Sequence, residues 1–176
     1  MNPPGAPTTT PRGRVLVAGL GNIFLGDDGF GVEVARRLAS QRLPEWVTLA
    51  DFGIRGVHLA YELLDDKYAT TILIDATPRG ERPGTVSLIE PDLAAKRSPQ
   101  ASTADAHGMD PERVFEWVLR LGGKPGRVLL VGCEPERLDE EMGLSATVER
   151  AVPEAVRLVL ELLERERSAP TVGCQA

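Results

Sequence analysis

Residues 14–31 read RVLVAGLGNIFLGDDGFG, a nearly continuous apolar run that leads into a glycine-rich loop with two adjacent aspartates. The apolar run at residues 14–18 is typical of a central strand that is covered on both faces. A helix is predicted from about Asp28 to about Leu43, and Asp27 or Asp28 can cap its free N–H groups. A strand, a glycine loop and a helix in this order indicate the first unit of an α/β fold.

The same alternation of strands and helices continues along the chain. Further strands are predicted at residues 47–50, 70–74, 85–89 and 128–131, and further helices at 57–64, 110–121 and 145–165. Residues 14–167 are therefore expected to form a single α/β domain. Residues 1–13 are predicted to be a flexible N-terminal arm and residues 168–176 a flexible C-terminal tail, because both are polar or rich in Pro, Thr and Gly. Residues 91–109 are predicted to be a long polar loop, a length that is often functional.

The composition excludes several classes of protein. The chain has 176 residues, is 42% hydrophobic and carries a formal net charge of −6, which does not favour a nucleic-acid-binding protein. No apolar run is long enough to span a membrane, and the N-terminus lacks the apolar core of a secretory signal. Two cysteines, Cys133 and Cys174, are too few for a disulfide framework. The sequence therefore predicts a cytoplasmic globular protein, with Cys133 as a buried structural thiol.

Carboxylates follow two of the predicted strands. Asp27 and Asp28 come after the first strand, and Asp75 follows the strand at residues 70–74. In open α/β sheets the ligand site lies beyond the carboxyl ends of the strands, and a carboxylate after a buried strand is costly unless it is paired or bound. Helix capping accounts for only one of the two adjacent aspartates. If the first and third strands are neighbours, Asp28 and Asp75 end at the same edge of the sheet.

Histidine is rare in this chain. His107 lies in the predicted loop at residues 91–109, and His58 lies in the second predicted helix. A lone histidine is more often structural or exposed than a ligand. His107 becomes a candidate site residue if its loop carries it over the two carboxylates.

The glycine loop is also compatible with two other functions. A dinucleotide-binding pattern that starts at Gly19 needs a glycine at position 24, where the chain has Phe24. Asp27 and Asp28 would also repel a phosphate group at a helix N-terminus. A non-enzymatic nucleotide- or phosphate-binding module remains one alternative, and a metal-dependent hydrolase of small substrates remains another. The chain contains no nucleophile elbow, no H-E-x-x-H helix and no phosphate-binding loop of the Walker type.

Five segments resemble, in the same order, the hydrogenase maturation proteases, which trim the C-terminus of the nickel-iron hydrogenase large subunit. The matching segments are residues 19–22 followed by 27–31, 51–56, 74–76 together with 83–85, His107, and 143–145. The resemblance covers about residues 14–164. It implies a three-layer α/β/α sandwich, with a twisted, mostly parallel sheet of about five strands and helices on both faces. The fourth strand is the candidate for an antiparallel member.

The resemblance places the metal-binding positions of the family, and with them catalysis, at Asp28, Asp75 and His107. The family often has glutamate where this chain has Asp28, whose side chain is one methylene shorter. Two carboxylates and one imidazole suit borderline divalent metals such as nickel, zinc and cadmium.

The resemblance further implies an endopeptidase that removes the C-terminal extension of a nickel-loaded large-subunit precursor. In this interpretation nickel arrives on the substrate as a recognition signal and is not tightly bound by the enzyme alone. The precursor is the expected partner, and neither nucleic acid nor a membrane is expected. The enzyme is predicted to be a cytoplasmic monomer. Attack by metal-activated water and attack by carboxylate-activated water both remain open.

Overall fold

The computed structural model describes residues 13–91 and 111–168. The predicted arm, the predicted tail and most of the predicted polar loop lie outside these residues. In chain order, the described part of the chain forms β1 (Arg14–Leu20), a 3-10 helix (Gly26–Gly29), α1 (Phe30–Ala39), β2 (Val47–Gly53), α2 (Gly56–Glu62), β3 (Tyr68–Ala76), β4 (Val86–Ile89), α3 (Pro111–Arg120), β5 (Arg127–Cys133) and α4 (Ala146–Ser168). This order confirms the predicted alternation of strands and helices.

The five described strands form one sheet in the order β2-β1-β3-β5-β4. The pairs β1–β2, β1–β3 and β3–β5 are parallel, and β4 is antiparallel to β5. The mostly parallel sheet with an antiparallel fourth strand is therefore confirmed, and so is the expected pairing of the first and third strands. Residues 15–20 of β1 are all buried, as predicted for a central strand.

Apolar side chains cover both faces of the sheet. One core packs residues such as Val17 and Ile74 against α1 and α4, and the other packs residues such as Leu16 and Leu73 against α2 and α3. Neighbouring residues of each strand belong to opposite cores because side chains alternate across a strand. The two cores confirm the predicted three-layer α/β/α sandwich.

Helix α1 is shorter than the sequence predicted. It ends at Ala39, although the predicted helix extended to about Leu43. The hydroxyl of Ser40 donates to the carbonyl of Arg37 at 2.7 Å, a local bond that competes with continued helix. Pro44 further disfavours a helical backbone at the residue before it.

Helix α4 is 23 residues long. The hydroxyl of Ser145 accepts the N–H of Val148 at 3.2 Å, which confirms Ser145 as the predicted cap. The buried side of α4 faces the sheet, and its other side carries charged residues such as Arg157 and Glu161. Neither α4 nor any other helix within the described residues combines the length and apolar content that crossing a bilayer requires.

Candidate active site

Asp28 and Asp75 both lie at the carboxyl edge of the sheet. In the parallel pair of β1 and β3, Gly19 is opposite Ile74, so Asp75 stands one residue beyond this pair. The 3-10 helix that carries Asp28 follows β1 and contacts β3. Both aspartates are half-buried. The structure thus brings two of the three predicted site residues to one edge, one in the 3-10 helix after β1 and one near the end of the neighbouring strand β3.

Glycines allow the loop after β1 to fold against this edge. Gly21 has a φ of +120°, and a Cβ there would collide with the backbone oxygen of Asp28. At Gly31, a Cβ would collide with the carbonyl oxygens of Leu20 and Ile74. The start of α1 therefore contacts the ends of β1 and β3 directly, which any side chain at position 31 would prevent.

A backbone N–H fixes the carboxylate of Asp28. The N–H of Asn22 donates to Oδ2 of Asp28 at 2.6 Å, and the side-chain oxygen of Asn22 accepts the N–H of Phe24 at 3.0 Å. Burial raises the pKa of Asp28 above its ordinary value, and the bond from Asn22 opposes this effect only in part. Burial disfavours the charged form of Asp28. A nearby cation would stabilise that charged carboxylate. The N–H of Asn22 is bonded to a carboxylate, which argues against a phosphate-binding loop.

Asp27 does not cap α1, and that prediction is wrong. No side chain caps either the 3-10 helix or α1. Asp27 is fully buried and accepts three backbone N–H groups from the segment after β5. These are Glu136 at 2.8 Å and Arg137 at 3.0 Å, both to Oδ2, and Ser145 at 2.6 Å to Oδ1. Asp27 therefore joins the loop that carries Asp28 to the loop that leads into α4.

Glu134 joins a second pair of loops at the same edge. It directly follows β5, has only 8% of its surface exposed, and accepts the N–H groups of Arg79 at 2.7 Å and Gly80 at 3.2 Å. These bonds hold the pKa of Glu134 below its ordinary value. Glu134 is absent from the predicted site residues, although it directly follows a buried strand, the same pattern that indicated Asp75.

Acid should weaken the fold partly through Glu134. Because its folded pKa lies below the ordinary value of 4.5, its stabilising effect is present above that pH and is lost as the pH falls through the lowered pKa. We expect the urea unfolding midpoint to fall less between pH 7 and about pH 3 in Glu134→Gln than in the unmodified protein. Exposed Glu45 provides the matched control, since Glu45→Gln should lose as much as the unmodified protein. Equal losses in all three proteins would contradict this role.

Cys133 is buried, as the sequence predicted. Only 1% of its surface is exposed, and burial, with the negative charges of Asp27 and Glu134 nearby, raises its thiol pKa to about 12. In a Cys174→Ser variant we expect a disulfide thiol reagent to leave Cys133 unmodified in the folded protein at about pH 8, because no thiolate is available. The thiol should react at once when guanidinium unfolds the chain. Rapid reaction of the folded protein would show that this part of the core opens.

Of the remaining candidate residues, the structure describes Asp51 and His58 but not His107. Asp51, at the end of β2, is exposed, and its Oδ1 accepts the N–H of Gly53 at 2.8 Å, which is turn chemistry. His58 is exposed on α2. His107 lies outside the described residues, and its role stays a prediction. Within the described residues, no three His, Cys, Asp or Glu side chains form a group that could hold a metal ion.

Comparison with known proteins agrees with this architecture. The family model for hydrogenase maturation protease matches residues 32–162. Hydrogenase expression/formation protein HupD of Rhizobium leguminosarum is 31% identical over 165 residues, which cover 93% of this chain and 77% of HupD.

Solved structures of hydrogenase maturation peptidases also resemble this chain. The hydrogenase maturating endopeptidase HybD from E. coli is 30% identical, with a TM-score of 0.71 over 86% of this chain and 93% of HybD. The hydrogenase 2 maturation peptidase from a Thaumarchaeota archaeon is 36% identical, with a TM-score of 0.65 over 86% of this chain and 98% of that chain. The chain therefore belongs to the hydrogenase maturation protease family and is a peptide-bond hydrolase.

Proposed function

We propose that this endopeptidase removes the C-terminal extension of a nickel-loaded [NiFe]-hydrogenase large-subunit precursor, and that the nickel on the precursor is the recognition signal. The observation that carries the proposal is the placement of Asp28, in the 3-10 helix after β1, and Asp75, near the end of the neighbouring strand β3, at the edge where open α/β sheets bind their ligands. Cytoplasmic action and a monomeric enzyme stay predictions from the sequence.

We propose His107 as the third ligand, on the basis of the family resemblance. It precedes Pro111, the first residue of α3, by four residues. A fully extended chain spans at most about 3.6 Å per residue, so four residues before α3 can reach at most about 15 Å from its start. Helix α3 packs on the face of the sheet that contains Leu73, and alternation along β3 assigns Asp75 to that same face.

The donor set fits the proposed cargo. Two carboxylates and an imidazole combine oxygen and nitrogen ligands, which suit nickel among the borderline divalent metals. Burial disfavours the charged form of Asp28, and a bound cation would offset that effect by stabilising the carboxylate. Three protein ligands leave positions open for groups of the precursor.

Each group then has a defined task. When present, the nickel of the precursor supplies a Lewis acid next to the peptide carbonyl. Asp28, Asp75 and His107 bind the precursor through that ion and hold the scissile bond at the edge of the sheet. A carboxylate oxygen of Asp28 or Asp75 accepts a proton from the attacking water and returns it to the leaving amine as the peptide bond breaks. The pair of acids is the basis for assigning an aspartyl-type endopeptidase.

Intact-mass spectrometry of the precursor tests the proposal. We expect incubation of the nickel-loaded precursor with this protein to release one C-terminal peptide, and the nickel-free precursor to stay intact. Cleavage of both forms at equal rates would contradict nickel recognition. Absence of cleavage in both would contradict the function.

The metal content of the purified enzyme gives a separate prediction. A site with three protein ligands and open positions binds free metal weakly, so elemental analysis should find well below one nickel per chain. A modest concentration of chelator should not slow cleavage once nickel-loaded precursor is supplied. Stoichiometric metal that the enzyme retains and requires would contradict delivery by the substrate.

A further inference from the structure

An open cavity of about 400 Å³ lies beside the loop that carries Asp28, between this loop, α1 and the start of α4. Three apolar side chains (Ile23, Val32 and Leu144) and three glycines line it, together with the charged residues Glu33, Arg36 and Glu149. Its volume lies within the range of small-molecule pockets, about 300 to 1,000 Å³. The cavity is therefore large enough for a large apolar side chain.

The cavity adjoins the loop that carries Asp28. Gly29 directly follows Asp28, and Ile23 directly follows Asn22, whose N–H donates to Asp28 at 2.6 Å. One short loop thus forms a wall of the cavity and presents the carboxylate. Because consecutive residues of an extended peptide are about 3.3 to 3.6 Å apart, a chain that contacts Asp28 can place a nearby side chain in the cavity.

Apolar surface at this site is exposed. Ile23 has 44% of its surface exposed and its neighbour Phe24 has 60%. The bond from the N–H of Phe24 to the side chain of Asn22, at 3.0 Å, fixes the turn that presents both residues. At Gly143 an added Cβ would meet nothing within 4 Å, so the cavity is open on that side. Exposed apolar surface rimmed by polar groups is typical of a binding site.

The charges at the rim neutralise one another. Glu33 accepts N–H bonds from Arg36 at 2.8 Å and from Arg37 at 2.7 Å, and Arg37 also binds Glu149 at 2.7 Å. Two carboxylates and two guanidinium groups leave no net charge. The rim therefore offers no counter-charge to a charged occupant, which favours a neutral, apolar side chain.

From the lining, the position and the rim we infer that this cavity binds an apolar side chain of the precursor, close along its chain to the bond that is cleaved. The inference rests on the proposed function, since the precursor supplies the side chain. Ile23 forms the wall of the cavity on the side of the loop that carries Asp28. The cavity selects among precursors by the side chain that fills it, whereas Asp28 and Asp75 act at the bond.

Filling the cavity tests this inference. Val32→Trp places an indole in the space from α1, and we expect it to raise KM for the nickel-loaded precursor about tenfold, with kcat nearly unchanged, because binding is lost and chemistry is not. Leu119 is exposed on α3, which packs on the opposite face of the sheet, so Leu119→Trp is the matched control and should keep both constants. If Val32→Trp does not fold, Leu144→Ala removes an apolar wall of the cavity and should raise KM in the same way.

A binding measurement separates the two proposals. The ¹³C methyl signals of Val32 and Leu144 should shift when precursor is added to the full chain, and those of Leu119 should not. The cavity's role alone would be overturned if the unmodified protein cleaves the precursor, no methyl signal shifts and KM is unchanged in Val32→Trp. Methyl shifts without cleavage would support the cavity and overturn the proposed function. Neither shifts nor cleavage would overturn both.

Discussion

Asp28→Asn and Asp75→Asn should each lower kcat/KM for the nickel-loaded precursor by about a thousandfold. The amide keeps the size of the side chain but loses the charge that binds a cation or accepts a proton. The N–H of Asn22 can still donate to the carboxamide oxygen at position 28, so we expect the fold to survive. The decrease in precursor mass over time, together with thermal unfolding of each variant, measures both effects.

His107→Ala should have the same effect on processing, since it removes the proposed third ligand. Exposed Asp65 provides the matched control: it lies just before β3, at the other edge of the sheet, and Asp65→Asn should process the precursor normally. Full processing by any one of the three site variants would remove that residue from the proposed mechanism.

Asp27→Asn should destabilise the protein by about 3 kcal/mol, because a buried carboxylate that accepts three N–H groups is replaced by a group with a single acceptor oxygen. The amide nitrogen would face backbone donors that it cannot satisfy. For a chain of this size, the unfolding temperature should fall by about 6 to 12 °C. Urea unfolding measured at neutral pH gives the change in the free energy of unfolding.

Asp139 provides the control for Asp27. It belongs to the same segment after β5, is exposed, and its ion pair with Arg137 is long, at 3.8 Å. Asp139→Asn should change stability by no more than about 0.5 kcal/mol. If Asp27→Asn were equally mild, the three hydrogen bonds would not hold the loop in solution.

The order of strands and helices could be predicted from the sequence because it depends on local patterns. The β-branched run in β3 and the glycine loop after β1 both indicate their structures within a few residues. The position of β4 could not be predicted in this way. Its partner β5 begins almost 40 residues later in the chain, and no local pattern identifies so distant a partner.

The different roles of Asp27 and Asp28 could not be read from the sequence. Both follow Gly26, and both are suited to a helix N-terminus. The donors that bind Asp27 lie 109 to 118 residues away along the chain. Asp28, in contrast, is bound by Asn22 only six residues before it. Long-range bonds of this kind depend on the whole fold, so adjacent aspartates with the same local pattern can differ in burial and in their hydrogen-bond partners.

The long separation between Asp27 and its donors has a consequence for synthesis on the ribosome. Translation proceeds from the N-terminus, so Asp28 and Asp75 emerge well before Glu136, Arg137 and Ser145 are made. A nascent chain that stops before these residues lacks the N–H groups that fix the loop around Asp28. Prematurely terminated translation products therefore contain Asp28 and Asp75 but lack the donors that join the loop around Asp28 to the segment after β5.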